Sequence, residues 1–169
     1  MPHNYRVFLA ILSSLAKDIL LQAEVEITAE KRSAIPLAQL TFNILASVPE
    51  FADVFFTKLV QRVGGWPIPY AVPGTDFDER KWESNEERLK VMGFRKSEES
   101  DSLESEAEFS SRAAGIMRVY FLILQTNPSH GPLGPMFQTT RYWSWFARLL
   151  GARNLLQSPV AAELIYSKS

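Results

Sequence analysis

The chain has 169 residues, 46% of them hydrophobic and 22% charged, with a formal net charge of −1. That length suits one domain able to bury a sizeable core, and the balanced charge argues against a protein-wide basic footprint for nucleic acid. No cysteine is present, which excludes disulfides, thiol nucleophiles and cysteine-ligated zinc and fits a reducing compartment.

Asn4 is placed to cap a helix running to about Leu21 or somewhat beyond, with Phe8, Leu9, Leu12, Leu15, Ala16 and Ile19 recurring at three and four. The apolar stretch Val7 to Ala16 is followed by no small-residue cleavage pattern, so it reads as part of that helix and not as a signal peptide. No apolar run approaches the roughly 20 residues of a membrane span, and a soluble protein with no membrane partner is expected. Gln22 to Arg32 either continues the helix or links it to the next. Glu24, Glu26 and Glu30, set against Lys31 and Arg32, read as an ordinary solvated surface.

From Ile35 to Tyr70 the pattern predicts two proline-opened helices. Pro36 suits a first helical turn, where its missing N–H is not used, and Leu37, Leu40, Ile44 and Leu45 mark a buried face. Val48-Pro49 ends that helix and opens the next, whose apolar face is Phe51, Val54, Phe55, Leu59 and Val63. Gly64 is suited to the left-handed cap. Lys58, Gln61 and Arg62 fall on one strip beside that face, and the heads of Lys58 and Arg62, four apart, can converge on one anion. Dipole complementation at a helix C-terminus explains the same cations without any ligand.

After Gly65, Pro67, Pro69 and Pro73 predict an extended arm with Trp66, Ile68 and Tyr70 as anchors. Asp76, Asp78 and Glu79 lack the glycine and distal glutamate of an EF-hand, so turn and capping roles are expected of them. Ser84 to Met92 predicts a short helix ended by Gly93. The run from Ser97 to Glu108 carries six acidic residues and four serines, and predicts an acidic mobile loop within a single domain spanning 1–169. Phe109 to Thr126 is the most apolar helix, with Arg112 and Arg118 its only charges, each expected to be paired or to face a cleft. A Pro- and Gly-rich loop follows it. Thr139 to Leu150 predicts an aromatic helix, and Ser158-Pro159 opens a last one ending on Ile165 and Tyr166 without a polar cap, as though the domain were truncated. The fold class expected is all-α, an irregular HEAT-like helical stack (α-solenoid), since no fixed repeat period is visible.

Catalytic chemistry is sparse. His3 and His130 have no triad or metal partner nearby in sequence, and no phosphate-binding glycine loop, nucleophile elbow or zinc-binding helix motif occurs. An enzyme is not expected, which leaves a protein-binding scaffold or an anion-responsive regulator.

The ordered set IPLAQLTFNILASVPEFADVFFTKLVQRVGGWPIPY, RLKVMGFR, SRAAGIMRVYFLILQ and YWSWFARLLGA resembles the C-terminal domain of the GLE (GLFG-lethal) mRNA-export mediators, from roughly Lys17 onward. The resemblance implies a HEAT-like domain at the cytoplasmic face of the nuclear pore and in the cytoplasm. It implies activation of a DEAD-box RNA helicase ATPase, with inositol hexakisphosphate as a tether, and binding to a nucleoporin. Some family members act in translation, which adds translation initiation factors as partners; no sequence-specific nucleic acid contact is implied. Position by position, the resemblance places Lys17, Lys58, Arg62 and Arg112 on inositol-phosphate-binding positions. Leu21 and Gln61 stand where the family carries basic residues. A second hypothesis is a structural adaptor with a decayed anion site, docking a nucleoporin peptide on the arm Trp66 to Tyr70 and the helix Tyr142 to Phe146. An enzymatic third would need a metal near Asp76 and Asp78.

Overall fold

A computed structural model describes residues 3–66, 68–69, 72–76, 78–96, 101–126 and 131–166. Tyr70, Pro67, His130 and residues 97–100 lie outside the described residues, as do the side chains of His3, Glu26 and Lys31. Eight α-helices follow in order among them: α1 (His3–Ala29), α2 (Ala34–Ser47), α3 (Pro49–Val63), α4 (Asn85–Val91), α5 (Glu106–Gln125), α6 (Thr139–Gly151), α7 (Arg153–Leu156) and α8 (Pro159–Tyr166). Helix lengths range from 27 residues in α1 to 4 in α7, so the stack is irregular, as expected without a sequence repeat. No described helix is long and apolar enough to cross a membrane.

The most apolar helix is also the hub. α5 packs against α1, α2, α3, α6 and α8, and α1 also lies along α3. Its buried residues run all round it, from Phe109 to Leu124. Small buried residues on both partners, Ala16 and Ala23 in α1 and Ala113 and Ala114 in α5, keep side chains from holding the helices apart. Phe51, Phe55, Leu59 and Val63 of α3 are fully buried, each contributing about 1.5–3 kcal/mol relative to exposure.

Helix ends follow local chemistry in α3: Pro49 opens it and Gly64 closes it at φ 82°. Gly93 also has positive φ, 93°, and the two glycines cross face to face. A Cβ on either would overlap the other's backbone, so the turn after α3 and the turn after α4 touch only because both lack side chains.

Of the two readings of Gln22 to Arg32, helical continuation is the one seen, with α1 running on to Ala29. Two expectations need correction. In α2 the inward residue is Phe42 while Leu40 is exposed, because the helix starts at Ala34, ahead of Pro36, and its buried face is Ala34, Ala38, Thr41, Phe42 and Leu45. The acidic run expected as a mobile loop over 97–108 is built structure from Leu103 onward. Leu103 pairs with Lys96 in a β-bridge, and Ser105 and Glu108 form a reciprocal capping box on α5. Acidic side chains suit a helix N-terminus because they face the positive end of its dipole.

Along the arm, Ile68 is buried and Trp66 half-buried. Trp66 sits edge-on to Tyr120 and Phe56 at 5.3 and 5.2 Å between ring centroids, and the Trp145 indole N–H donates to the Ile68 carbonyl at 2.8 Å. Asp76 accepts from the backbone N–H groups of Asp78 and Arg80, both at 2.9 Å, which is turn chemistry.

Candidate functional site: a charged node between three helices

Below the crossing glycines, α1, α3 and α5 bring five charged side chains together. Glu24 on α1, read from sequence as a solvated carboxylate, is only 8% exposed. Arg62 on α3 forks onto it, with Nε and Nη2 donating to its two oxygens at 2.7 and 2.6 Å. Arg95, just past Gly93, places Nη1 at 3.2 and 3.3 Å from the same two oxygens. Burial alone would push the Glu24 carboxyl up, but Arg62's hydrogen bond and the charges of Arg95 and Arg62 outweigh it and hold it below its ordinary range.

Arg112, one turn into α5, is 11% exposed and makes four hydrogen bonds. Two go to Glu104, at 3.1 and 2.5 Å, one to the Arg62 carbonyl at 2.5 Å and one to the Gly93 carbonyl at 3.0 Å. Its guanidinium also lies 5.3 Å from the Phe109 ring centroid. The carbonyls of Arg62 and Gly93 are those freed at the ends of α3 and α4, so Arg112 satisfies orphan acceptors as well as a carboxylate. Arg95 Nη2 donates to the same Arg62 carbonyl at 3.0 Å, and the Arg95 backbone N–H donates to Glu104 at 2.9 Å.

Charge does not balance here. Among the described residues, Arg62, Arg95 and Arg112 face Glu24 and Glu104, three positive charges against two negative. Desolvation, and then the repulsion of Arg112, push the affinity of Arg95 for its proton down. Such crowding of cations favours any further anion that reaches them.

Of the four residues the sequence pointed to, the structure joins Arg62 and Arg112 through the Arg62 carbonyl and Glu24, which lies 3.9 Å from Arg112 Nη1. Lys17 and Lys58 are joined to that node by no ion pair among the described residues. Lys17 is exposed on α1, two helical turns before Glu24 on the same face, and Lys58 is half-buried on α3, one turn before Arg62. Neither makes an ion pair among the described residues. The strip expected over Lys58, Gln61 and Arg62 therefore splits: Arg62 turns inward to Glu24 while Gln61 stays exposed. Arg95, Glu24 and Glu104 were not singled out from sequence. Only Glu104 had a local signal, its place just before the S-x-x-E cap; Glu24 and Arg95 meet across 71 residues of chain.

Among the described residues no group of three histidine, aspartate or glutamate side chains is arranged to hold a metal ion. A cavity of about 640 Å³ lies elsewhere, between the α2–α3 turn and residues 131–134, and is lined by Gln39, Asn43 and Phe42 among others.

With this geometry in view, comparisons with known proteins are informative. The family model for GLE1-like proteins matches residues 2–167. The mRNA export factor GLE1 of Saccharomyces cerevisiae is 29% identical over 114 residues, covering 67% of this chain and 19% of that protein. The mRNA export factor gle1 of Schizosaccharomyces pombe is 28% identical over 145 residues, 85% of this chain and 26% of that one. The chain thus spans a quarter or less, to within a percent, of these relatives' lengths. Two S. cerevisiae structures of a Dbp5 C-terminal domain bound to Gle1 and IP6 match with TM-scores of 0.73 and 0.72 at 22% identity, each covering 93% of this chain and 50% of that one. Those matches show the same helical fold. The chain belongs to the GLE1-like protein family.

Proposed function

We propose that this chain is the polyanion-binding part of an mRNA-export factor that works at the cytoplasmic face of the nuclear pore. In this reading it is a non-catalytic activator. Inositol hexakisphosphate, held by Lys17 and Lys58 and backed by Arg62 and Arg112, tethers it to a DEAD-box RNA helicase and raises that helicase's ATPase rate. A nucleoporin is a further partner. The observation that carries the reading is the surplus positive charge of the α1–α3–α5 node, flanked by two uncommitted lysines, in a chain of this family. A highly charged small molecule between two cationic faces turns their repulsion into attraction, since each phosphate accepts charge-assisted hydrogen bonds from both sides.

In this reading the four cations play unequal parts. Lys17 and Lys58 are available to touch phosphate, whereas Arg62 and Arg112 already donate to Glu24 and Glu104 and supply field from behind. The ATPase rate of the cognate helicase, followed through an inositol hexakisphosphate titration with and without this chain, tests the proposal. Stimulation that needs both the chain and the ligand is expected, and it is expected to vanish in the Lys17→Glu, Lys58→Glu double variant. Stimulation unchanged by that variant would sink the assignment.

A second reading, a structural adaptor with a decayed anion site, is favoured by the commitment of Arg62 and Arg112 to carboxylates and by uncharged Leu21 and Gln61. It predicts no inositol hexakisphosphate affinity but retention of the chain on a nucleoporin column.

A further inference from the structure

Resting on the anion-binding reading, we propose that Glu24 is a specificity-determining residue: its carboxylate occupies the Arg62 and Arg95 guanidinia as a resident competitor, so that single phosphates are refused and only polyphosphorylated ligands bind.

Arg62 presents its Nε and Nη2 edge to Glu24 at 2.7 and 2.6 Å, the same parallel fork a phosphate would use. Arg95 has the most exposed side chain of the three arginines, at 36% against 15% for Arg62 and 11% for Arg112. Among the described residues its guanidinium donates one hydrogen bond to Glu24 and one to the Arg62 carbonyl. Arg95 is thus the cation of the node best placed to turn toward solvent and meet a ligand while Arg62 stays clamped.

A carboxylate fixed by the fold acts at an effective concentration at or above the millimolar range. Free inorganic phosphate must displace it one contact for another, and it meets a node of three positive charges against two negative. A ligand carrying several phosphates does not need to displace Glu24. It can gain from Lys17, Lys58 and Arg95 together, each contact after the first being intramolecular. Glu24 therefore sets a threshold in phosphate number. Removing its charge while keeping its shape, as in Glu24→Gln, leaves three guanidinia against Glu104 alone and frees the Arg62 fork.

Calorimetry on the full chain tests this with two probes, inorganic phosphate and inositol hexakisphosphate. The wild type is expected to bind inositol hexakisphosphate and to ignore inorganic phosphate. Glu24→Gln is expected to bind inorganic phosphate at least about tenfold more tightly than the wild type, narrowing the preference between the two. If the wild type binds inositol hexakisphosphate and Glu24→Gln shows no gain for phosphate, the filter is wrong and the tether reading stands. If the wild type binds neither and Glu24→Gln gains phosphate binding, Glu24 blocks phosphate as proposed, but the threshold in phosphate number and the tether reading both fail. No binding of either probe to either protein overturns both. Should Glu24→Gln not fold, Glu24→Asp keeps the charge but withdraws it by one methylene, and a smaller gain for phosphate is expected; no gain in a folded Glu24→Asp protein overturns the filter.

Discussion

Near its first turns α5 is tied to α1 and α3 by Arg112, through two carboxylates and two backbone carbonyls. Further along the same helix Tyr120 is tied to its surroundings by aromatic area: Trp66 and Phe137 meet it edge-on and Phe56 tilted. Among the described residues one polar contact accompanies those rings, the Tyr120 hydroxyl donating to the Met136 carbonyl at 2.6 Å. Buried ion pairs contribute little net stability over an apolar equivalent, because desolvation consumes most of the attraction. Aromatic packing contributes stability with no charge to answer a ligand. The contrast suggests a division of labour under the proposed function: the aromatic end holds the fold, and the charged end is the part that would respond to anions.

Truncation separates the two ends most sharply. Arg112→Ala leaves the buried Glu104 carboxylate without its guanidinium and the Gly93 carbonyl without its donor, and is expected to cost about 3–5 kcal/mol in urea denaturation. Arg112→Met fills the same space and should recover part of that loss. At the aromatic end, Trp145→Phe keeps one six-membered ring but removes the rest of the indole and the donor to the Ile68 carbonyl, for an expected loss of about 1–3 kcal/mol. A loss for Trp145→Phe exceeding that for Arg112→Ala would reverse the proposed ranking.

Acid should find the charged end alone. The Glu24 carboxyl titrates below its unfolded-state value, so the folded protein holds fewer protons there than the unfolded chain. Its contribution is complete above the unfolded value of about 4.3 and is lost as pH falls through the lower folded value. Thermal midpoints should therefore decline below about pH 4, and the decline should be shallower in Glu24→Gln. Equal slopes in the two proteins would show that Glu24 carries no such linkage.

Sequence made these two ends legible to different degrees. Pro49 and Gly64 bound α3 by backbone chemistry that needs no tertiary context, and the unbroken apolar character of α5 marks it as central wherever its neighbours lie. The requirement that Arg112 be paired was likewise readable, since a cation on so apolar a helix has few alternatives. Glu24 was not readable. On a helix face a buried carboxylate and a solvated one look alike, and the partners that bury it are 38 and 71 residues away. Ser105 and Glu108 carried a local capping signature that the surrounding acidity obscured. The contact between Gly64 and Gly93 joins two positions each understood as a helix end, and no local pattern reveals that they meet.

The claim on which the rest depends is that cations from α1 and α3, beside the node on α5, gather one polyanion. Calorimetric titration of inositol hexakisphosphate into the wild type and into the Lys17→Glu, Lys58→Glu variant tests it most directly, because neither lysine is part of the buried network. Saturable binding to the wild type, reduced at least about tenfold in a variant with an unchanged melting temperature, is the expected result. Equal binding to both proteins, or none to the wild type, would contradict it.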